Sequence, residues 1–296
     1  MIIKECINVK DDRLIDGLTP VVRIMSQIDG SDEQMVAIDF SNTRFVSPVF
    51  ALSLIVYLSR SGKRITFKNV PEYLERIGLS IGGVKPDMMR QTEFLAELEK
   101  YASKTYIPII DFSAGRNSDA KEVVSSIAEN MIIRQLSIQS NVANGLKYMI
   151  DETLDNITEH SESDRGYLFA QAYPTKGFLD VCIADRGVGL LGSYEKLPGN
   201  EIESDMEAIK AANRGLSSKN RPDAESRGFG IRTSKQMLIQ GLGGQYLMIS
   251  GSSLYIKTRN LDSFYSMPNG LRWNGTIVAL RIPYHSTTFN YINYIE

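Results

Sequence analysis

The 296 residues carry 33 Lys and Arg against 35 Asp and Glu, a formal net charge of −2, with 43% hydrophobic and 23% charged side chains. That balance gives no electrostatic case for nucleic acid as a partner, although a local basic patch stays open, and the length allows two domains, each with its own core. Two cysteines, Cys6 and Cys182, exclude a disulfide framework; no signal peptide begins the chain, and the longest apolar run, 49–58, is about half a membrane span, so a cytoplasmic protein free of the membrane is expected.

Along the first ninety residues, 2–9 reads as a strand, 18–28 as a helix entered through Thr19-Pro20, and 34–40 as a second strand ended by Ser41-Asn42. The apolar run 49–58 is too long for a typical strand and predicts a buried helix with Ser47 as N-cap and Pro48 at the first position. Ser61-Gly62-Lys63 stops it, 64–68 is the next strand, and 71–78 a short helix. Alternation of this kind predicts a parallel-rich sheet covered by helices. The stretches Val36-Ala37-Ile38-Asp39-Phe40, Arg44-Phe45-Val46-Ser47-Pro48-Val49-Phe50 and Gly62-Lys63-Arg64-Ile65-Thr66-Phe67 resemble a STAS-like domain, the fold of anti-anti-sigma factors. In regulatory members a serine at this strand-to-helix turn accepts phosphate. Here Val46-Ser47-Pro48-Val49 replaces the Asp-Ser-Ser-Gly pattern, so Ser47 is both a candidate acceptor and a helix cap worth about 1 kcal/mol.

The turn-rich Gly82-Gly83-Val84-Lys85-Pro86-Asp87 opens a linker, dividing the chain into 1–85, a linker 86–104 with a short helix at 92–101, and 105–296. Pro108 places the strand 105–112 at a sheet edge or a bulge. Helices follow over 118–136 and 140–160. In the second, Met149, Ile150, Leu154 and Ile157 recur at three- and four-residue intervals, while Glu152, Asn156 and His160 stand one turn apart on one face. A carboxylate that can polarise a hydroxyl and an amide oxygen that can ligate a hard cation suit work on a metal-bound phosphate; a solvated helix face is the alternative. Strands are predicted over 166–173, 177–184, 244–250, 253–258 and 275–283. The second runs into Asp185-Arg186-Gly187-Val188-Gly189, an acceptor carboxylate followed by glycines that let a flat ring approach the backbone. Arg227-Gly228-Phe229-Gly230-Ile231 opens a helix with bare N–H groups that suit anions. Asn274-Gly275-Thr276 leads into the last strand. Between Gly189 and Arg227 lies a long polar insertion containing a helical run, 205–213.

These four motifs, in this order, resemble the GHKL ATPases, the family of gyrase, the histidine kinases and the mismatch-repair ATPases, over residues 105 to 285. The resemblance implies an α/β fold in which a two-layer sandwich with a mixed sheet follows the STAS-like domain, and ATP with Mg²⁺ as ligands. It implies that Asn156 ligates Mg²⁺ and that Asp185 accepts the adenine amino hydrogen. Gly187 and Gly189 make room for the base, Gly228 and Gly230 cradle phosphates, and Thr276 completes the adenine pocket. Glu152 holds the catalytic carboxylate position and His160 that of a histidine common in kinase members. The insertion corresponds to a lid that orders around nucleotide, with Ser217, Ser218 and Lys219 in reach of phosphate oxygens. An autophosphorylating histidine kinase needs an acceptor histidine ahead of this region, and only His160 and His285 exist. A clamp ATPase needs a following domain with a lysine for the γ-phosphate. The expected function is therefore that of the anti-sigma-factor serine kinases or an ATPase switch, acting on a regulatory protein partner. The alternative is a nucleotide-gated interaction module without turnover. The oligomeric state, a homodimer among the options, stays open.

Overall fold

Strand and helix alternate at the start of the chain as the spacing predicts. In the computed structural model, which describes residues 1–4, 13–115, 124–125, 140–160, 162–216, 230–284 and 289–294, strands β1 (Ile2–Lys4), β2 (Met35–Asp39) and β3 (Arg64–Lys68) form a parallel sheet in the order β1-β2-β3. Helices α1 (Leu18–Asp29) and α2 (Pro48–Leu58) make the crossovers. The turn before α2 is capped as its sequence suggests: the Phe50 N–H donates to Ser47 Oγ at 3.3 Å, and Pro48, which lacks an N–H, fills the first position. Every residue from Pro48 to Tyr57 is buried. A helix that is apolar all round needs cover on all sides, and α2 finds it between the small sheet and a second, larger one. Two short helices, α3 (Glu72–Arg76) and α4 (Gln91–Glu99), lead on.

The larger sheet has seven strands: β4 (Tyr106–Ser113), β5 (Arg165–Tyr173), β6 (Phe178–Asp185), β7 (Gln245–Gly251), β8 (Ser253–Lys257), β9 (Asp262–Ser266) and β10 (Trp273–Pro283), in the order β4-β5-β6-β10-β7-β8-β9. All six neighbouring pairs run antiparallel, so the mixed sheet expected from the sequence is corrected to an antiparallel one. The physical reason is connection length. β5–β6, β7–β8 and β8–β9 are joined by turns too short for a crossover, and β10 returns between β6 and β7 against both. β4 lies at an edge, and its register slips between Ile107 and Ile110, around Pro108. β9 was not anticipated.

Both faces of this sheet are covered. On one, Leu168, Val181, Ile183, Met248 and Leu280 pack against Leu146, Met149, Ile150 and Leu154 of helix α5 (Ser140–His160). Helices α6 (Gly189–Tyr194), α7 (Asp205–Asn213) and α8 (Gly230–Gln236) follow in the chain, and α8 continues into a π-helical turn, Met237–Gly241. On the other face, Phe169, Cys182, Leu247, Ile249 and Ile277 share a core with Phe50 and Leu54 of α2. The helical run expected at 205–213 within the insertion is α7; α6 was not anticipated, and the two pack on each other through Tyr194, Ala208 and Ala211. Asp205 pins α7 to the β7–β8 turn by accepting from the Ser252 N–H (2.9 Å) and Oγ (2.8 Å). Ser217, Ser218, Lys219 and Gly228, most of the predicted helix 118–136, and His285 lie outside the described residues.

Candidate functional site

Strands β6, β10 and β7 are neighbours, so the end of β6, the start of β10 and the end of β7 meet at one rim of the sheet. Asp185 closes β6 there with 1% of its surface exposed. The Gly187 N–H donates to its Oδ1 at 2.7 Å and the Thr276 N–H to its Oδ2 at 3.2 Å. Burial pushes this carboxyl up to about 7, against the two N–H bonds that pull it down. Thr276 reaches it because β10 slips register against β7 between Trp273 and Thr276, a bulge that re-aims the backbone. Within the bulge, Gly275 (φ +108°) passes so close that a Cβ would lie 2.2 Å from the Asp185 carbonyl oxygen and 2.8 Å from Oδ1. Only glycine permits this approach.

A hydroxyl completes the rim. Ser250, at the end of β7, accepts from the Leu190 N–H at 2.9 Å, donates to the Gly275 carbonyl at 3.2 Å, and lies 3.4 Å from Thr276 Oγ1. Gly189 (φ +72°) faces it, its missing Cβ 3.0 Å from Ser250 Oγ. Thus 185–189, 250 and 275–276, far apart in the chain, form one polar rim around a buried carboxylate.

A second group sits on α5 and α8. A Cβ added to Gly230 would lie 1.7 Å from Glu152 Oε2, so the carboxylate packs directly on the first residue of α8. Tyr148, one turn before Glu152, bonds to it and to Thr233; burial, and then the Glu152 charge, push the phenol up to about 12. Asn156 Nδ2 donates to the Glu152 carbonyl at 2.6 Å, so its Oδ1 is the atom suited to a cation. His160 is the last residue of α5, with its side chain outside the described residues. Among the described residues no three His, Cys, Asp or Glu side chains cluster as a metal site. Asn156 Oδ1 is the kind of neutral oxygen donor that a hard cation such as Mg²⁺ takes alongside water and phosphate oxygens.

No protein-family model matches the chain, and no curated protein matches it.

Ser250 and Tyr148 were not singled out from the sequence. Tyr148 had a signal, its four-residue spacing from Glu152. Ser250 had none, since only the sheet order brings the end of β7 beside β10. Ser47 is 4% exposed, with its hydroxyl capping α2, and a Cβ on Gly17 would come 2.3 Å from Oγ. As a phosphate acceptor it would first have to be uncovered.

Proposed function

We propose that this chain binds an adenine nucleotide with Mg²⁺ in the manner of the GHKL ATPases and uses it in a regulatory switch on a protein partner, as a serine kinase or an ATPase. The observation that carries the reading is the convergence of 185–189 and 275–276 on a carboxylate held by two backbone N–H groups. A buried acceptor of this kind is suited to an amino group on a flat ring. On this reading Asp185 accepts the adenine amino hydrogen, Ser250 and Thr276 orient the base edge, and Asn156 Oδ1 faces the cation. Glu152 takes the proton of an attacking hydroxyl or water. The Mg²⁺-nucleotide supplies the phosphoryl group; positioning and charge are the protein's part. The N-terminal part resembles the usual partners of such kinases, which supports a protein partner by analogy alone.

A second reading, nucleotide-gated binding without turnover, is favoured by the packing of Glu152 on Gly230 and its bond to Tyr148. That placement gives the carboxylate a role in holding α8. Incubation with γ-labelled ATP and Mg²⁺ separates the outcomes. Label on protein supports the kinase, free phosphate the ATPase, and nucleotide binding with neither supports the gated module. Absence of nucleotide binding overturns all three.

A further inference from the structure

Helix α8 presents two faces. Gly230 and Thr233 meet α5. Its opposite face, with the π-helical turn that follows, borders a cavity of about 580 Å³ between the end of α7 and the β8–β9 hairpin. Five cationic side chains enter its lining, Arg214, Arg232, Lys235, Lys257 and Arg259, against one carboxylate, Asp262. The whole chain carries a net charge of −2, so this surplus of four positive charges is concentrated rather than shared out. Lys257 pairs with Asp262. Lys235 is held by neutral groups: Nζ donates to the backbone and side-chain oxygens of Asn213, both at 3.1 Å, and sits 5.1 Å from the centre of the Tyr255 ring. Like charges gathered in a half-enclosed space repel one another unless an anion enters.

We propose that this cavity is a second ligand site, separate from the Asp185 rim, for a small phosphorylated molecule bearing at least two negative charges. Its volume suits a small molecule, and the exposed guanidinium groups of Arg214 and Arg259 suit phosphoryl oxygens, which such groups can grip two at a time. A nucleic-acid strand is disfavoured because the cavity's aromatic ring, Tyr255, is 2% exposed and stacked on Phe264 at 4.4 Å, so it offers bases no platform. π-Helical turns recur at functional sites, and Ile239 and Gln240 of this one line the cavity. This site does not depend on the nucleotide reading above.

Burial pulls the Lys235 ammonium down to about 8; Asp262 opposes the shift, while Lys257 and Arg232 add to it. Arg214 just after α7, Arg259 on the hairpin, and the Tyr255 phenol, raised by burial, are the other ionisable groups around it. Binding that needs the ammonium therefore weakens as pH rises through about 8.

The test is calorimetric titration of the full chain with inorganic pyrophosphate in the absence of divalent metal. Arg214 and Arg259 are exposed, so their replacement leaves the core intact. Saturable binding is expected, weakened roughly tenfold in Arg214→Gln and again in Arg259→Gln. Relative to wild type, Lys235→Arg should hold its affinity above pH 8, because guanidinium keeps its proton. Circular dichroism on each variant checks the fold. Absence of saturable binding overturns the proposal, as do equal affinities in wild type and both arginine variants. Tighter binding of an acidic peptide or an oligonucleotide than of pyrophosphate overturns it as well.

Discussion

At Asp185 one buried carboxyl bears on stability and, on the proposed reading, on recognition. Its pKa is raised from 3.8 to about 7 by burial. Between those values the folded state holds a proton that the unfolded state has released, so this group's contribution to stability falls as pH rises from about 4 to about 7 and is level beyond. Asp185→Asn should flatten that part of the profile, measured by urea unfolding across pH. Recognition of an amino donor runs the other way, because the charged acceptor is the stronger one. Adenosine affinity should rise as pH passes through about 7 in wild type and stay flat, and weaker, in Asp185→Asn. Wild-type affinity in the variant would remove Asp185 from the site. Gly275→Ala forces a side chain into the Asp185 backbone at positive φ and should cost about 1–3 kcal/mol together with nucleotide binding. Glu152→Ala separates the two readings of that residue. A general base predicts intact nucleotide affinity and turnover lowered by roughly 10²–10⁴-fold. A carboxylate that only positions α8 predicts unchanged turnover.

Among the elements, α2 has the most consequence. Trp273 Nε1, in β10, donates to the Ser53 carbonyl of α2 at 3.1 Å, inside the core that the two share. Trp273→Phe removes the bond and some volume and should lower stability by about 1–3 kcal/mol, read from denaturant midpoints at constant m. α7 lies within the insertion that the resemblance made a lid ordering around nucleotide. In it Ala208 and Ile209 are fully buried and Asp205 is pinned to Ser252. Its amides should be protected from hydrogen exchange with and without a non-hydrolysable ATP analogue. Fast exchange that slows only with the analogue would restore the lid reading for this stretch.

For the whole molecule, the N-terminal part and the seven-stranded sheet share one hydrophobic cluster. Tyr73 OH also bonds Gln171 Oε1 at 3.0 Å, and an Arg60 guanidinium N–H bonds the Arg186 carbonyl at 2.6 Å, between Asp185 and Gly187. A fragment of 105–296 alone would present Phe169, Cys182, Leu247, Ile249 and Ile277 to water. It should aggregate or expose dye-binding surface under conditions where the full chain is monodisperse. A well-folded, soluble fragment would mean that this face tolerates water. No helix among the described residues is long and apolar enough to cross a membrane.

Local spacing was enough to find most elements, because burial writes a period into the chain. The short apolar run in 34–40, the all-apolar run 49–58 and the 3.6-residue stripe in 140–160 each correspond to an observed element, and the Ser47-Pro48 cap lies where a cap and a missing N–H are useful. The glycines after Asp185 were legible as well, whereas Gly275 was marked only by the family resemblance and its close approach to Asp185 emerged with the fold. What the sequence could not decide is order across the sheet. Strand direction depends on which strands become neighbours, and α2 is apolar on every side without naming what covers it. Ser250 joins the rim, and a surplus of four positive charges, Lys235 among them, gathers around one cavity, through contacts between residues distant in the chain. Only the tertiary structure brings those residues together, because no local period records a partner on another strand.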